Sequence, residues 1–95
     1  MRLRAYTLFD TKAHQHHAPF YAVTDGVAVR LVTDLANDLT TMIGRHPGDH
    51  VLYYVGDWDD ESGEFKPVDI KTHVRDVITL VASSEQPDLF KKAAE

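Results

Sequence analysis

The chain has 6 histidines and 15 acidic side chains, so imidazole and carboxylate chemistry are its first options. The densest group is His14-Gln15-His16-His17. Imidazoles two or three residues apart can chelate a divalent ion, and His46, His50 or His73 could supply further ligands. No established zinc spacing is met and no helical His-Glu-x-x-His is present, so the run reads as a solvated polar loop. No metal and no other cofactor is expected. The run Asp57-Trp58-Asp59-Asp60-Glu61-Ser62-Gly63-Glu64 offers the oxygen ligands that calcium takes. Counted from Asp57, though, the glycine falls one place late for an EF-hand, and the place of the bidentate glutamate is held by Val68. A hairpin turn, for which Asp and Gly supply the geometry, is the better reading.

Covalent catalysis has little to work with. The chain has no cysteine, which excludes disulfides, thiolate nucleophiles and iron–sulfur ligation. There is no Gly-x-Ser-x-Gly elbow and no phosphate-binding glycine loop, and Ser62, Ser83 and Ser84 have no histidine at an informative spacing. A non-enzymatic protein is expected. For nucleic acid, Arg2, Arg4 and Tyr6 open the chain, and Tyr53, Tyr54 and Trp58 follow in its middle. Exposed aromatics on a sheet stack on unpaired bases while arginines hold phosphates. The competing assignment, favoured by the area a small core needs, puts these aromatics inside. A formal charge of −5 speaks against strong non-specific binding to phosphate backbones, which usually goes with a basic surface.

These residues must be carried by one small domain, since 95 residues cannot enclose two cores. With 43% hydrophobic and 26% charged residues the composition is that of a globular chain, not of a disordered one. No apolar run approaches the ~20 residues of a membrane span. Met1-Arg2-Leu3-Arg4 leads into an alternating segment instead of an apolar block, so a cytoplasmic chain is expected.

Arg2 to Phe9 alternates, with Leu3, Ala5, Thr7 and Phe9 on one side and Arg2, Arg4, Tyr6 and Leu8 on the other, as in a central strand. Asp10-Thr11-Lys12 is a turn, residues 13–18 a loop, and Pro19 to Val23 a short edge piece. Thr24 and Asp25 are N-cap residues. Val27, Ala28, Leu31, Val32, Leu35, Ala36, Leu39, Met42 and Ile43 then recur at helical spacing, which predicts an amphipathic helix of about five turns ending at Gly44. Val51 to Trp58 is rich in β-branched and aromatic residues, and with Glu64 to Val68 it forms a hairpin whose return strand is an edge because of Pro67. Residues 69–84 fit either a helix, through Val74, Val77, Ile78 and Val81, or a strand; helix is preferred, with Lys71, Thr72, Arg75 and Asp76 on the opposite face.

Taken in order, these residues resemble a known family. Asp10-Thr11-Lys12, Ala18-Pro19-Phe20-Tyr21-Ala22 and Asp25 precede a helix with Ala28-Val29-Arg30. His46-Pro47-Gly48-Asp49-His50-Val51-Leu52-Tyr53-Tyr54-Val55-Gly56 and the turn Asp59-Asp60-Glu61-Ser62-Gly63 follow. The series resembles the small nonstructural protein of gokushovirus-type microviruses, bacteriophages with single-stranded DNA genomes, over residues 5–66. The His14-Gln15-His16-His17 run departs from that pattern. The resemblance implies a protein made in the infected bacterium, outside the virion, that binds DNA in genome replication or in the switch to single-strand synthesis. It brings no catalytic residues, and it fits Pro47-Gly48-Asp49 as a turn, Asp25 as a helix cap and Gly56 as a bulge.

The expected architecture is a single α+β domain over residues 1–86, with a short tail over 87–95. A small antiparallel sheet of about three or four strands packs against one long amphipathic helix, and a helix or strand closes the chain. The expected activity is single-stranded DNA binding through Arg2, Arg4, Tyr6, Arg30, Arg45 and Lys66, chosen for charge and aromatic character. The alternative is an adaptor that engages a host or phage replication protein through Asp57, Asp59, Asp60 and Glu61 without touching DNA. A homodimer or larger homo-oligomer is expected to cover the sheet edges or the helix face.

Overall fold

A computed structural model describes residues 1–82, and the expected tail and the end of the expected domain lie outside them. Strand β1, Arg2–Asp10, lies in the middle of the sheet, as its apolar residues on both faces require. On one side it pairs with two short strands, β2 (Gln15–His16) and β3 (Phe20–Ala22). On the other it pairs with β4 (His50–Asp59), which is followed by β5 (Phe65–Asp76) at the edge. All pairings are antiparallel, so the sheet has five strands where three or four were expected. Residues 13–18 are not the free loop that their polarity suggests. They include β2, and the His17 N–H donates to the Leu8 carbonyl at 2.8 Å.

The hairpin turn forms as its residues require. Asp59 Oδ1 accepts from the N–H groups of Glu61 and Ser62, and Gly63 takes the left-handed φ of 75° that closes the loop. The return strand runs well past Val68. An edge strand tolerates Pro67 because its missing N–H need not meet a neighbour. Hence the preference for a helix over residues 69–84 is overturned: β5 continues to Asp76, and Val77–Leu80 forms a 3-10 turn whose Val77 enters the core. Residues 83–84 lie outside the described residues.

Helix α1, Asp25–Ala36, begins at Thr24, whose hydroxyl accepts from the Val27 N–H. It buries Ala28, Val32 and Ala36 against Tyr6, Leu8, Ala22 and Leu52. The long helix predicted from the apolar spacing does not form, because the chain leaves the helix at Asn37. There Asp38 Oδ1 accepts from both the N–H and the hydroxyl of Thr40, a local turn that competes with helical hydrogen bonding. Thr41 then caps a second short helix, α2 (Met42–Arg45), by accepting from Gly44 N. Gly44 therefore sits inside α2. A Cβ there would lie 2.0 Å from the Asp38 carbonyl oxygen, so glycine permits close backbone contact and is not a helix stop.

Two of the three register shifts fall around Val55; the third leaves Val74 of β5 unpaired between the Leu52–Arg75 and Tyr53–His73 pairs. Ala5 faces Gly56 and Tyr6 faces Tyr54, so Val55 has no partner in β1; residues 68–71 of β5 stand opposite that same residue. At Gly56 a Cβ would meet the Phe65 ring at 2.6 Å, so the ring lies over the glycine.

Candidate functional site

The helices and the core occupy one face of the sheet. Strand alternation places Leu3, Ala5, Thr7 and Phe9 of β1 on the other, together with Tyr21, Tyr53, Trp58 and Phe65 from its neighbours. Tyr21 and Phe65 are exposed, and Phe9, Tyr53 and Trp58 are partly so. At one end Tyr21 and Trp58 lie with ring centroids 6.1 Å apart. Toward the other end Phe9, His16, Tyr53 and His73 form a second group, with Phe9–His16 at 4.7 Å, His16–Tyr53 at 5.9 Å and Tyr53–His73 at 6.2 Å. His16 Nδ1 lies 2.7 Å from the Thr7 hydroxyl, and burial followed by the Lys71 charge pushes its pKa down. Residues 68–71 wall this second group, since Asp69, Ile70 and Lys71 share a shallow cleft with Phe9, His16 and Tyr53.

The residues selected from the sequence for DNA contact lie elsewhere. Arg2 and Lys66 share a hollow with Asp57, Asp59 and Glu64, so carboxylates surround both cations. Arg4 Nε donates to Asp25 Oδ1 and to the Tyr6 hydroxyl, each at 3.0 Å, and its guanidinium lies 3.8 Å above the Tyr54 ring. Tyr6 is fully buried, with its hydroxyl donating to Asp25, so its ring has no face open to a base. Asp25 thus binds Arg4 and Tyr6, while Thr24 takes the capping role expected of it. Arg30 is exposed on α1, and Arg45 donates to the carbonyls of Leu39 and Thr40 between the two helices. The structure groups Arg2, Arg4 and Lys66 at one end of the helix-covered face and sets Arg30 and Arg45 apart. Of the three aromatics in β4, Tyr53 and Trp58 reach the open face. Tyr54 turns to the core side, where it donates to Asp57.

The histidine run divides. His14 is exposed with φ 55°, and His16 joins the open face. His17 turns to the far end of the sheet, where its Nε2 lies 3.4 Å from Nε2 of the buried His50 and the Asp10 carboxylate is close by. Asp10 has no signal of its own in the sequence. It reaches His50 through the β1–β4 register, in which the two residues are direct partners.

An antiparallel sheet with helices on one face and an aromatic surface on the other defines a small α+β domain. The Phage ORF5 protein family model matches residues 3–80, and the chain belongs to that family. No curated protein and no solved structure matches it. Among the described residues no helix is long and apolar enough to cross a membrane.

Proposed function

We propose that this phage protein is a non-enzymatic single-stranded DNA-binding protein. In this reading it acts in viral genome replication, or in the switch to single-strand synthesis, in the cytoplasm of the infected bacterium and outside the virion. The gokushovirus-type resemblance supports the setting. The observation that carries the binding mode is the helix-free sheet face, where Tyr21, Trp58, Phe65, Phe9 and Tyr53 offer ring surface to solvent. Unpaired bases stack on such rings, at about 1–3 kcal/mol per base. Duplex DNA keeps its bases stacked internally and gains nothing from them. The interface in this reading is centred on Trp58, Tyr53 and Phe65, with Lys71 as the neighbouring cation, and a homodimer would double it.

The test is fluorescence anisotropy of a labelled oligothymidylate and of a labelled duplex, with Trp58 emission followed in parallel. Single-strand binding that quenches Trp58 is expected, and Trp58→Ala should weaken it by about tenfold, the scale of one lost stacking contact. Absence of single-strand binding at low salt, with the fold verified by circular dichroism, sinks the reading. The adaptor alternative would then stand on Asp57, Asp59, Asp60 and Glu61, of which Asp60 and Glu61 hold the N-terminal ammonium while Asp57 and Asp59, with Glu64 beside them, flank Arg2 and Lys66, a surface for a basic protein partner. A pull-down of host and phage replication proteins, repeated with Asp57→Asn, Asp59→Asn and Glu64→Gln together, tests that surface.

A further inference from the structure

We propose that Asp10, His17 and His50 form a site for one divalent transition-metal ion of the zinc class. The three side chains come from the end of β1, from the segment after β2 and from the start of β4. Their ligand atoms lie within 4.8 Å of one another.

His50 sets the chemistry. It is only 2% exposed, and its Nδ1 lies 2.8 Å from the His46 carbonyl oxygen. A carbonyl can only accept, so Nδ1 carries the proton and Nε2 presents a bare lone pair. Metal-binding histidines are commonly oriented by this kind of backbone hydrogen bond. His17 Nε2 lies 3.4 Å from that nitrogen and Asp10 Oδ2 lies 3.7 Å from it. Two ligands bound at ~2.0–2.1 Å to a tetrahedral ion stand about 3.3–3.4 Å apart, which is the separation of the two imidazole nitrogens.

Asp10 is oriented in the same manner. Its Oδ1 accepts from the N–H groups of Lys12 and Ala13, at 2.9 and 3.1 Å, and Oδ2 is the oxygen turned toward His50. The His17 backbone is fixed to β1 through its bond to Leu8. Main-chain contacts thus orient the side chains of His50 and Asp10 and fix the backbone of His17.

Two imidazoles and a carboxylate suit zinc and its neighbours better than magnesium or calcium, which favour all-oxygen shells. No fourth histidine, aspartate or glutamate joins the group among the described residues. A cleft of about 160 Å³ beside it, lined by Asp10, Ala13, Gln15, His16, His17 and Met42, leaves room for water or another exogenous donor. Once bound, the ion ties the segment carrying β2 to the junction of β1 and β4. This site is distinct from simple chelation by the histidine run, since His16 bonds to Thr7 and neither His14 nor His16 joins the group.

The experiment is titration of the purified full chain with zinc chloride by calorimetry, and with cobalt chloride by visible absorption, alongside thermal melts. The site predicts one ion per chain, the absorption of a four-coordinate cobalt centre and a raised melting temperature. His17→Gln and Asp10→Asn should each weaken binding by at least about tenfold, since even outer-shell changes at metal sites cost that much. The double variant of His14→Gln and His16→Gln should bind as the parent does. His50→Gln is the third ligand test, but it alters a buried residue, so the two more exposed ligands carry the decision once circular dichroism shows them folded. No stoichiometric binding, or binding lost with His14 and His16 and kept without His17 or Asp10, overturns the proposal.

Discussion

Tyr6 is where one hydroxyl joins the sheet to the first helical turn. Burial, and then its hydrogen bond to Asp25, push the phenol up to about 12, with Arg4 acting in the opposite sense. The folded state therefore holds the neutral phenol, whereas the unfolded chain ionises near the ordinary value of 10.0. This stabilisation is complete below pH 10 and is lost as pH rises toward about 12. A two-unit shift corresponds to roughly 2–3 kcal/mol. Urea titrations at pH 8 and pH 11 should show about half of that loss in the parent, and a much smaller one in Tyr6→Phe. The same variant should be about 1–2 kcal/mol less stable than the parent at pH 8, because Asp25 loses a donor. An equal alkaline loss in both proteins would remove Tyr6 as its source. Sequence showed Tyr6 only as an aromatic on the Arg4 side of an alternating strand, a position equally suited to base stacking or to the core. What decides it is α1, which covers that side. In the same way, His17 and His50 were visible as histidines, but the Asp10 that joins them depends on a register between strands forty residues apart in the chain.

At the level of elements, legibility followed the locality of the signal. Alternation in β1 and the Asp–Gly turn of the β4–β5 hairpin depend on near neighbours in sequence, and both form as read. The break after Ala36 is also local, but its signal is polar: Asp38, Thr40 and Thr41 bond back to the chain while the apolar spacing continues through Leu39, Met42 and Ile43. Periodicity reports which face is apolar and is blind to such side-chain competition. For β5, valine spacing suggested a helix, but pairing with β4 outweighs it. Gly44 is the joint on which the break depends. Gly44→Ala forces a methyl group against the carbonyl oxygens of Asp38 and Leu35, and it should cost about 3 kcal/mol as the two helices are forced apart. A urea midpoint within error of the parent would show that the connection yields without strain.

Over the whole molecule, charge and shape set the kind of binding available. The net charge of −5 gives no general attraction to a phosphate chain, and carboxylates flank Arg2 and Lys66. If the open face binds single strands, ring stacking must supply most of the free energy. The logarithm of affinity should then fall only gently with the logarithm of salt concentration, with a slope no steeper than about −2, given ~0.7 per phosphate contact on single strands. Anisotropy titrations across several salt concentrations measure it directly. A slope several times steeper would move the interface away from the aromatics and toward clustered cations.

The long outer strand of the sheet has one more consequence. Twelve residues of unpaired backbone at a sheet margin are ordinarily a template on which further chains can add and grow. Here Pro67 withholds a donor, residues 68–71 step out of register, and Lys66, Asp69, Lys71 and Arg75 spread charge along the margin. The same departures that shape the cleft beside Tyr53 thus interrupt the ladder a second copy would need. They oppose the edge-to-edge addition of further chains.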